Sequence, residues 1–279
     1  MSTIRDSWLA AHSYLQPLAG WTARVEDAAE RIDAPRATVP DWNRYAEDFR
    51  DGSPLLHSAE AAIDLEPAGG MVVALVEALS AAPPAGGPAA DLAALAVELR
   101  RDSDAPRRIS DGLPGCDGIA TSAPGLLRYL AWTATRRYLA PVIGSFAAWR
   151  GEEREEKWLR PYCPTCGSGP AMAQLVGKDP GRRRMLVCGG CGTRWQFRRT
   201  QCPFCENDPQ KLSIVAIEGE AGLRIDWCES CRGYLKTYDG EGHEDVLLSD
   251  WTSLHLDLVA RDRGLERRAA SLYALEEAP

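Results

Sequence analysis

The chain has 279 residues, of which 45% are hydrophobic, and its formal net charge at pH 7 is −8. This length and apolar content suffice for two domains with buried cores. The negative balance argues against a protein whose whole surface binds nucleic acid.

The sequence favours a reduced, cytoplasmic protein. Residues 1–6, MSTIRD, lack the cationic segment and apolar core of a signal peptide. Disulfide-dense folds are typically short and secreted, so a disulfide framework is disfavoured. The most apolar stretch, residues 129–149, is interrupted by Arg136 and Arg137, and we therefore predict no membrane span.

Residues 1–156 are predicted to form a helical N-terminal domain. A proline- and glycine-rich stretch at 82–88 is expected to be a loop, with Asp91 as the N-cap of the next helix. Three segments carry apolar residues at helical spacing: Trp8, Leu15, Leu18 and Val25; Met71, Leu75 and Leu79; and Leu92, Leu95, Val97 and Leu99.

A long helix is predicted to begin near Ser122, with Pro124 in its first turn. Pro141 is expected to kink or divide this helix, because proline removes a backbone donor and clashes with the preceding turn. The polar stretch before the helix, residues 100–118, is predicted to be exposed. It contains Cys116, which we interpret as a structurally neutral thiol.

The other eight cysteines form four C-x-x-C pairs, the pattern of two tetrathiolate metal sites. Two thiolates separated by two residues can close on one ion, and two such knuckles complete a tetrahedral set. The loops within the two sets are nearly equal in length and the connector between them is short, which favours sequential pairing. The predicted metal ligands are Cys163, Cys166, Cys188 and Cys191 for one ion, and Cys202, Cys205, Cys228 and Cys231 for the other.

Local residues agree with knuckle turns. Gly167 and Gly192 follow the second thiol of their pairs, where a positive φ is needed. After Cys231 the glycine comes one residue late, so that turn is expected to differ. Strand-like segments at 185–187, 195–197 and 213–217 complete two rubredoxin-like or zinc-ribbon modules.

The fold class is therefore predicted to be α+β. The helical domain, residues 1–156, is followed by one tetrathiolate module at 157–200 and a second at 201–249. Residues 250–279 are predicted to form a C-terminal helix that packs back.

Closed tetrathiolate sites have no open position for water, so hydrolytic metal catalysis is not expected. Thiolates suit both zinc and iron, and the spacing does not choose between them. The histidines are dispersed and are interpreted as surface or packing residues: His12, His57, His243 and His255.

A cluster of arginines around the first module leaves a zinc-ribbon nucleic-acid adaptor open as an alternative. The competing interpretation is that these cations offset the negative metal centres. The cluster comprises Arg182, Arg183, Arg184, Arg194, Arg198 and Arg199.

The residues around the cysteines resemble the formate dehydrogenase accessory protein family, FdhE. The similarity lies in PYCPTCGS at 161–168, LVCGGCGTRW at 186–195, RRTQCPFC at 198–205 and CESCRGYLK at 228–236. The resemblance implies a helical N-terminal part, two rubredoxin-like modules and a C-terminal helix. It also assigns the same eight cysteines as ligands of two ions and associates iron with these motifs.

The resemblance further implies a cytoplasmic maturation factor, not an enzyme. Such a protein is needed for active respiratory formate dehydrogenase and contacts its catalytic subunit. A small rubredoxin-like electron carrier stays open as another alternative. Trp195 and Tyr234 are candidate anchors for the partner or, equally, core residues of their modules.

Overall fold

The computed structural model describes residues 3–83, 87–113, 121–178, 180–207, 211–220, 222–269 and 271–273. Cys116 and loop residues 84–86 lie outside the described residues. Helices combine with one six-stranded sheet, which confirms the predicted α+β class.

Two compact units divide the chain. One holds the described residues of Met1–Arg5, Asn43–Glu60 and Ala147–Ser271, and the other those of Asp6–Trp42, Ala61–Phe146 and Leu272–Pro279. The division predicted at residue 156 stays a prediction. In the structure, the segment Asn43–Glu60 groups with the cysteine modules.

Helices form most of the described N-terminal half, with short 3₁₀ turns between some of them, and two further helices lie near the C-terminus. None of the helices in the described part of the chain combines the length and the apolar composition that crossing a bilayer requires. Their bounds are α1 Thr3–Ala11, α2 Gln16–Arg31, α3 Trp42–Asp51, α4 Glu66–Ala81, α5 Ala89–Arg101, α6 Ala105–Gly112, α7 Pro124–Trp158, α8 Glu244–Leu247 and α9 Leu254–Asp262.

Helix α4 forms the centre of the helical unit and packs against α5 and α6. Its predicted apolar stripe is buried, and so is that of α5 except for Val97, which is exposed. The approach of α6 is close because α4 presents Gly69. A Cβ at this position would lie 1.9 Å from the carbonyl oxygen of Pro106, so a side chain there would separate the two helices.

The expectation that Pro141 divides this helix is wrong, because α7 continues helically past it. Proline leaves the carbonyl of Arg137, four residues earlier, without its helical donor. The guanidinium of Arg36 donates to this carbonyl instead. The kink lies at Gly151, which adopts a φ of 44° that a residue with a side chain rarely adopts.

The sheet has the strand order β3-β2-β1-β6-β5-β4 and contains two antiparallel groups of three. The predicted strand segments are confirmed as parts of β2, β3 and β4, except that β4 ends one residue before Ile217. Parallel pairing of β1 with β6 joins the two groups into one sheet. The strands are β1 Pro170–Val176, β2 Arg183–Cys188, β3 Arg194–Phe197, β4 Leu212–Ala216, β5 Leu223–Cys228 and β6 Tyr234–Asp239.

The C-terminal helix is shorter than predicted. Helix α9 ends at Asp262, because Gly264 adopts a φ of 65° and the amide of Leu265 bonds back to the carbonyl of Ala260. The chain then extends along the second cysteine module. There Glu266 exchanges backbone hydrogen bonds with Arg232 and Tyr234.

A buried ion cluster attaches this segment to β6. Lys236 is only 1% exposed, and its Nζ lies 2.6 Å from a carboxylate oxygen of Asp250 and 3.0 Å from one of Asp257. Arg267 pairs with the same two aspartates. Two cations and two anions balance, which is what makes burial of these charges tolerable.

The carboxyl of Asp250 makes the stability that this cluster contributes depend on pH. Burial opposes ionisation of Asp250, but Lys236 and Arg267 outweigh it and lower the pKa of this carboxyl from 3.8 to about 2. Because the folded pKa lies below the unfolded value, Asp250 contributes stability above about pH 4. That contribution is lost as the pH falls toward the folded value.

We expect Asp250→Asn to lower the free energy of unfolding by about 3 kcal/mol at neutral pH, because it leaves two buried cations underneutralised. Urea denaturation of the full chain measures this. The deficit should shrink as the pH is lowered through the window of Asp250 titration. Glu266→Gln, in the exposed pair with Arg268, is the control and should leave stability nearly unchanged. Equal effects of the two substitutions would contradict a stabilising role for the cluster.

Candidate metal centres

Each cysteine module has the same order of parts. A knuckle precedes the first strand, and a second knuckle forms the tip of the hairpin between the second and third strands. This order repeats from Cys163 to Phe197 and from Cys202 to Asp239. Because hairpin pairing returns the chain beside its start, it places the two knuckles of each module next to each other.

The structure brings the eight predicted ligands together in the two predicted sets. In the first cluster, sulfur separations are 3.5 Å for Cys163 and Cys191 and 3.4 Å for Cys166 and Cys188. Each of these two close pairs joins sulfurs of opposite knuckles.

The second cluster has the same cross-knuckle arrangement. Its sulfurs are 3.8 Å apart for Cys202 and Cys231 and 3.7 Å apart for Cys205 and Cys228. The described cysteines are all free, and these separations far exceed a disulfide bond length of about 2 Å.

The sulfur positions fit a tetrahedral ion. Metal–sulfur bonds of about 2.3 Å in a regular tetrahedron imply sulfur separations of about 3.8 Å. The second cluster matches this value and the first is slightly contracted. Both sets could therefore hold a zinc or iron ion without rearrangement of the backbone.

The electrostatics of the first cluster also suit a bound cation. Burial raises the pKa of the Cys163 thiol, and the neighbouring sulfurs of Cys166 and Cys188 raise it further. Four thiolates in this space would repel one another in a low-dielectric site. A bound divalent ion offsets that repulsion, and its binding contributes directly to folding.

All four knuckles share one turn geometry. The residue after each second cysteine has a positive φ: 77° at Gly167, 78° at Gly192, 51° at Glu206 and 59° at Arg232. In each turn, its amide donates to the carbonyl of the first cysteine. The expectation that the last turn differs is therefore wrong, because Arg232 accepts the left-handed conformation without being glycine.

Contacts of its side chain explain how Arg232 is held there. Its guanidinium donates to the backbone carbonyls of Arg263 and Gly264 and lies 5.2 Å from the ring centre of Trp227. These contacts offset the cost of a left-handed conformation, about 1 kcal/mol. They also attach the C-terminal segment to the second module.

A segment far away in the sequence covers the first knuckle, and the sequence analysis missed it. The amides of Leu55 and Leu56 donate to the carbonyls of Pro164 and Thr165 at 2.8 Å. The imidazole Nε2 of His57 lies 3.2 Å from the carbonyl of Cys166. No local pattern near residue 55 indicates this role, because the contact spans more than a hundred residues.

Hydroxyl groups line the same cluster. Thr193 Oγ1 lies 3.2 Å from the sulfur of Cys191 and 2.7 Å from the hydroxyl of Thr165. Both threonines are buried. A hydroxyl so placed can donate to a thiolate, which favours the anionic ligand.

Trp195 and Tyr234 are core residues, so their interpretation as partner anchors is wrong. Trp195 is fully buried, and its indole donates to the carbonyl of Arg160. Tyr234 is 3% exposed, and its hydroxyl donates to Asp257. Neither ring is available to a partner in this structure.

The arginine cluster does not form one solvent-facing patch. Arg184 is buried and donates to the carbonyls of Arg198 and Gln201, while Arg182 pairs with Asp239. Arg194 donates to the side chain of Gln174. Arg198 donates to the side chain of Gln201 as well, so at least four of the six arginines have partners within the chain, which weakens the nucleic-acid alternative.

Similar proteins exist among curated sequences, although no model of a known protein family matches the chain. An FdhE homologue of Pseudomonas aeruginosa is 30% identical over 271 residues, covering 93% of this chain and 82% of that protein. An FdhE homologue of Aquifex aeolicus is 33% identical over 131 residues, covering 46% of each protein.

A solved structure gives the same relationship. The crystal structure of the FdhE protein from Pseudomonas aeruginosa superposes with a TM-score of 0.61 at 25% sequence identity. The match covers 95% of this chain and 90% of that one. The similarity therefore includes the helical part as well as the cysteine modules.

We expect the full chain to bind two divalent ions, and Cys188→Ser to bind one. Losing one of four ligands forfeits much of the roughly 10–16 kcal/mol that such a site contributes in small zinc peptides. Native mass spectrometry of zinc-loaded protein measures the stoichiometry. Cys116→Ser, outside both predicted sets, should keep two ions. Equal metal content in the two variants would contradict the ligand assignment.

Proposed function

Because the chain belongs to the FdhE family, we propose that it is a formate dehydrogenase accessory protein that acts without catalysing a reaction itself. In this proposal it is a cytoplasmic maturation factor that contacts the catalytic subunit of respiratory formate dehydrogenase through its metal-loaded cysteine modules. The observation that carries the proposal is the convergence of both cysteine sets within a match that spans 93% of the chain.

Metal would act here by building a rigid surface. Cys163, Cys166, Cys188 and Cys191 would hold one ion and Cys202, Cys205, Cys228 and Cys231 the other. With all four positions filled by sulfur, a bound zinc or iron ion has no place for a water nucleophile. The protein residues around it fix the orientation of the knuckles through backbone and hydroxyl contacts.

An exposed apolar residue in the second module supports a docking role. Among the described residues of 157–249, Ile214 on β4 is an exposed large hydrophobic side chain, with 58% of its surface accessible. Strand β4 is an edge of the sheet. An edge strand with an apolar side chain is suited to contact with another protein.

Electron transfer is the second candidate, because Cys205 of the second cluster is exposed. An iron ion there would lie close to solvent and to a redox partner. Replacement of iron by zinc separates the two functions, since zinc has no redox chemistry. Accessory activity that persists with zinc would support docking, and activity that requires iron would support electron transfer.

We expect deletion of the gene in the native host to abolish formate oxidation while the formate dehydrogenase polypeptide is still made. Complementation should require the paired cysteines and should succeed with Cys116→Ser. Dye-linked formate oxidation and immunoblotting of the catalytic subunit provide the two readouts. Normal formate oxidation in the deletion strain would contradict the accessory function.

For the docking surface, we expect Ile214→Glu to reduce capture of the catalytic subunit while both ions are retained. A charge at the centre of an apolar contact costs binding energy, and the substitution changes none of the eight cysteine ligands. Val97→Glu is the matched control, because Val97 is an exposed aliphatic residue outside the cysteine modules. Affinity capture with the two variants at equal metal content is the measurement. Equal capture would exclude β4 from the interface.

A further inference from the structure

The two cysteine clusters differ in their exposure to solvent. Every cysteine of the first cluster is at most 3% exposed. In the second, Cys202 and Cys228 are buried, Cys231 is half-buried and Cys205 is exposed. Exposure decides whether an external reagent can reach a sulfur or its ion, so the two clusters should react differently.

Long-range contacts explain why the first cluster is closed. The segment from Pro54 to His57 lies directly over the Cys163–Cys166 knuckle and makes the hydrogen bonds described above. A Cβ on Gly167 would lie 3.3 Å from the Pro54 ring and 3.4 Å from the His57 imidazole. The cover is therefore in van der Waals contact with the knuckle.

Aromatic packing stiffens the residues that lead into this knuckle. Phe49 stacks on Trp158 with ring centres 5.1 Å apart, and Trp158 meets Tyr162 at 5.5 Å. The Trp158 indole donates to the carbonyl of Tyr162, whose hydroxyl donates to the carbonyl of Gly52. Opening of the first cluster thus requires the disruption of several buried contacts at once.

The corresponding knuckle of the second module lacks such a cover among the described residues. Within the part of the chain that the structure describes, no backbone amide from outside that module bonds to Pro203 or Phe204, in contrast to Pro164 and Thr165. The opposite knuckle of this module is held by the C-terminal segment, as Arg268 donates to the carbonyl of Cys231. Access to the second cluster is therefore concentrated at Cys205.

We propose that the first cluster retains its metal ion and has a structural role, whereas the second cluster releases its metal ion to external ligands. This division rests on the proposed loading of both clusters with metal. In the exchange step, an entering donor forms a bond to the ion as the Cys205 sulfur leaves and takes up a proton. The metal keeps its oxidation state throughout. Exchange at the first cluster has to wait for a local opening of the covering segment.

The test uses the zinc-loaded full chain and an excess of the chromogenic chelator 4-(2-pyridylazo)resorcinol. We expect two phases of zinc release, one ion in each, with rates that differ by at least about tenfold, the factor that a modest local opening cost produces. A release of both ions in a single phase would overturn the division. A chain that binds no zinc would overturn the metal proposal itself, so the two failures are distinguishable.

Timed alkylation assigns the phases to clusters without any substitution. Iodoacetamide forms a sulfur–carbon bond with each freed thiolate and releases iodide, and peptide mass mapping locates the label. Cysteines 202, 205, 228 and 231 should be labelled in the fast phase, and cysteines 163, 166, 188 and 191 in the slow phase. Labelling in the reverse order would contradict the proposal.

A pair of histidine variants tests the cover. His57→Ala removes the imidazole contact with the Cys166 carbonyl and should accelerate the slow phase several-fold, as expected for loss of one hydrogen bond. His243→Ala is the matched control, because this histidine precedes α8, outside both knuckles of the first cluster and their cover, and its ring Nδ1 lies 2.7 Å from the neighbouring Gly242 carbonyl. It should leave both phases unchanged. An unaltered slow phase in His57→Ala would contradict the role of the cover.

Discussion

Convergence of four sulfurs in a small volume is the constraint on which the rest of the cysteine region depends. Four thiolates without a cation repel one another, and burial makes their ionisation still more costly. The sulfur separations of 3.4 to 3.8 Å match the edges of a metal-centred tetrahedron. Charge and geometry therefore suit each cluster to binding one metal ion.

The surrounding fold holds these sulfurs in place by ordinary backbone contacts. A left-handed residue closes each knuckle, and in Glu206 and Arg232 the chain accepts this conformation without glycine. Parallel pairing of β1 with β6 then makes the two modules one sheet. A displacement of one module would therefore strain the backbone hydrogen bonds that join it to the other.

The eight cysteines and their grouping could be predicted from sequence because a C-x-x-C knuckle is a local feature, and the comparable loops select sequential pairing. The helical stripes were predictable for the same reason. The cover from Leu55 to His57 was not, because it depends on contacts with residues far along the chain. Nor was the continuity of α7 at Pro141, since it depends on a donor from Arg36.

The aromatic residues illustrate the same limit. The sequence shows that Trp195 and Tyr234 lie beside the knuckles, and this position suits either a core or an interface role. Only their burial and the acceptors of their polar atoms decide for the core. The exposure of Ile214 at the sheet edge could not be predicted either, because β4 carries aliphatic residues at the adjacent positions Ile214 and Val215, which point to opposite faces of the sheet.

X-ray absorption spectroscopy of the metal-loaded full chain tests the tetrathiolate assignment most directly. The account predicts that each ion is surrounded by four sulfur atoms at about 2.3 Å, with no nitrogen or oxygen in the first coordination sphere. A fit that requires histidine nitrogen, carboxylate oxygen or water at either ion would contradict it.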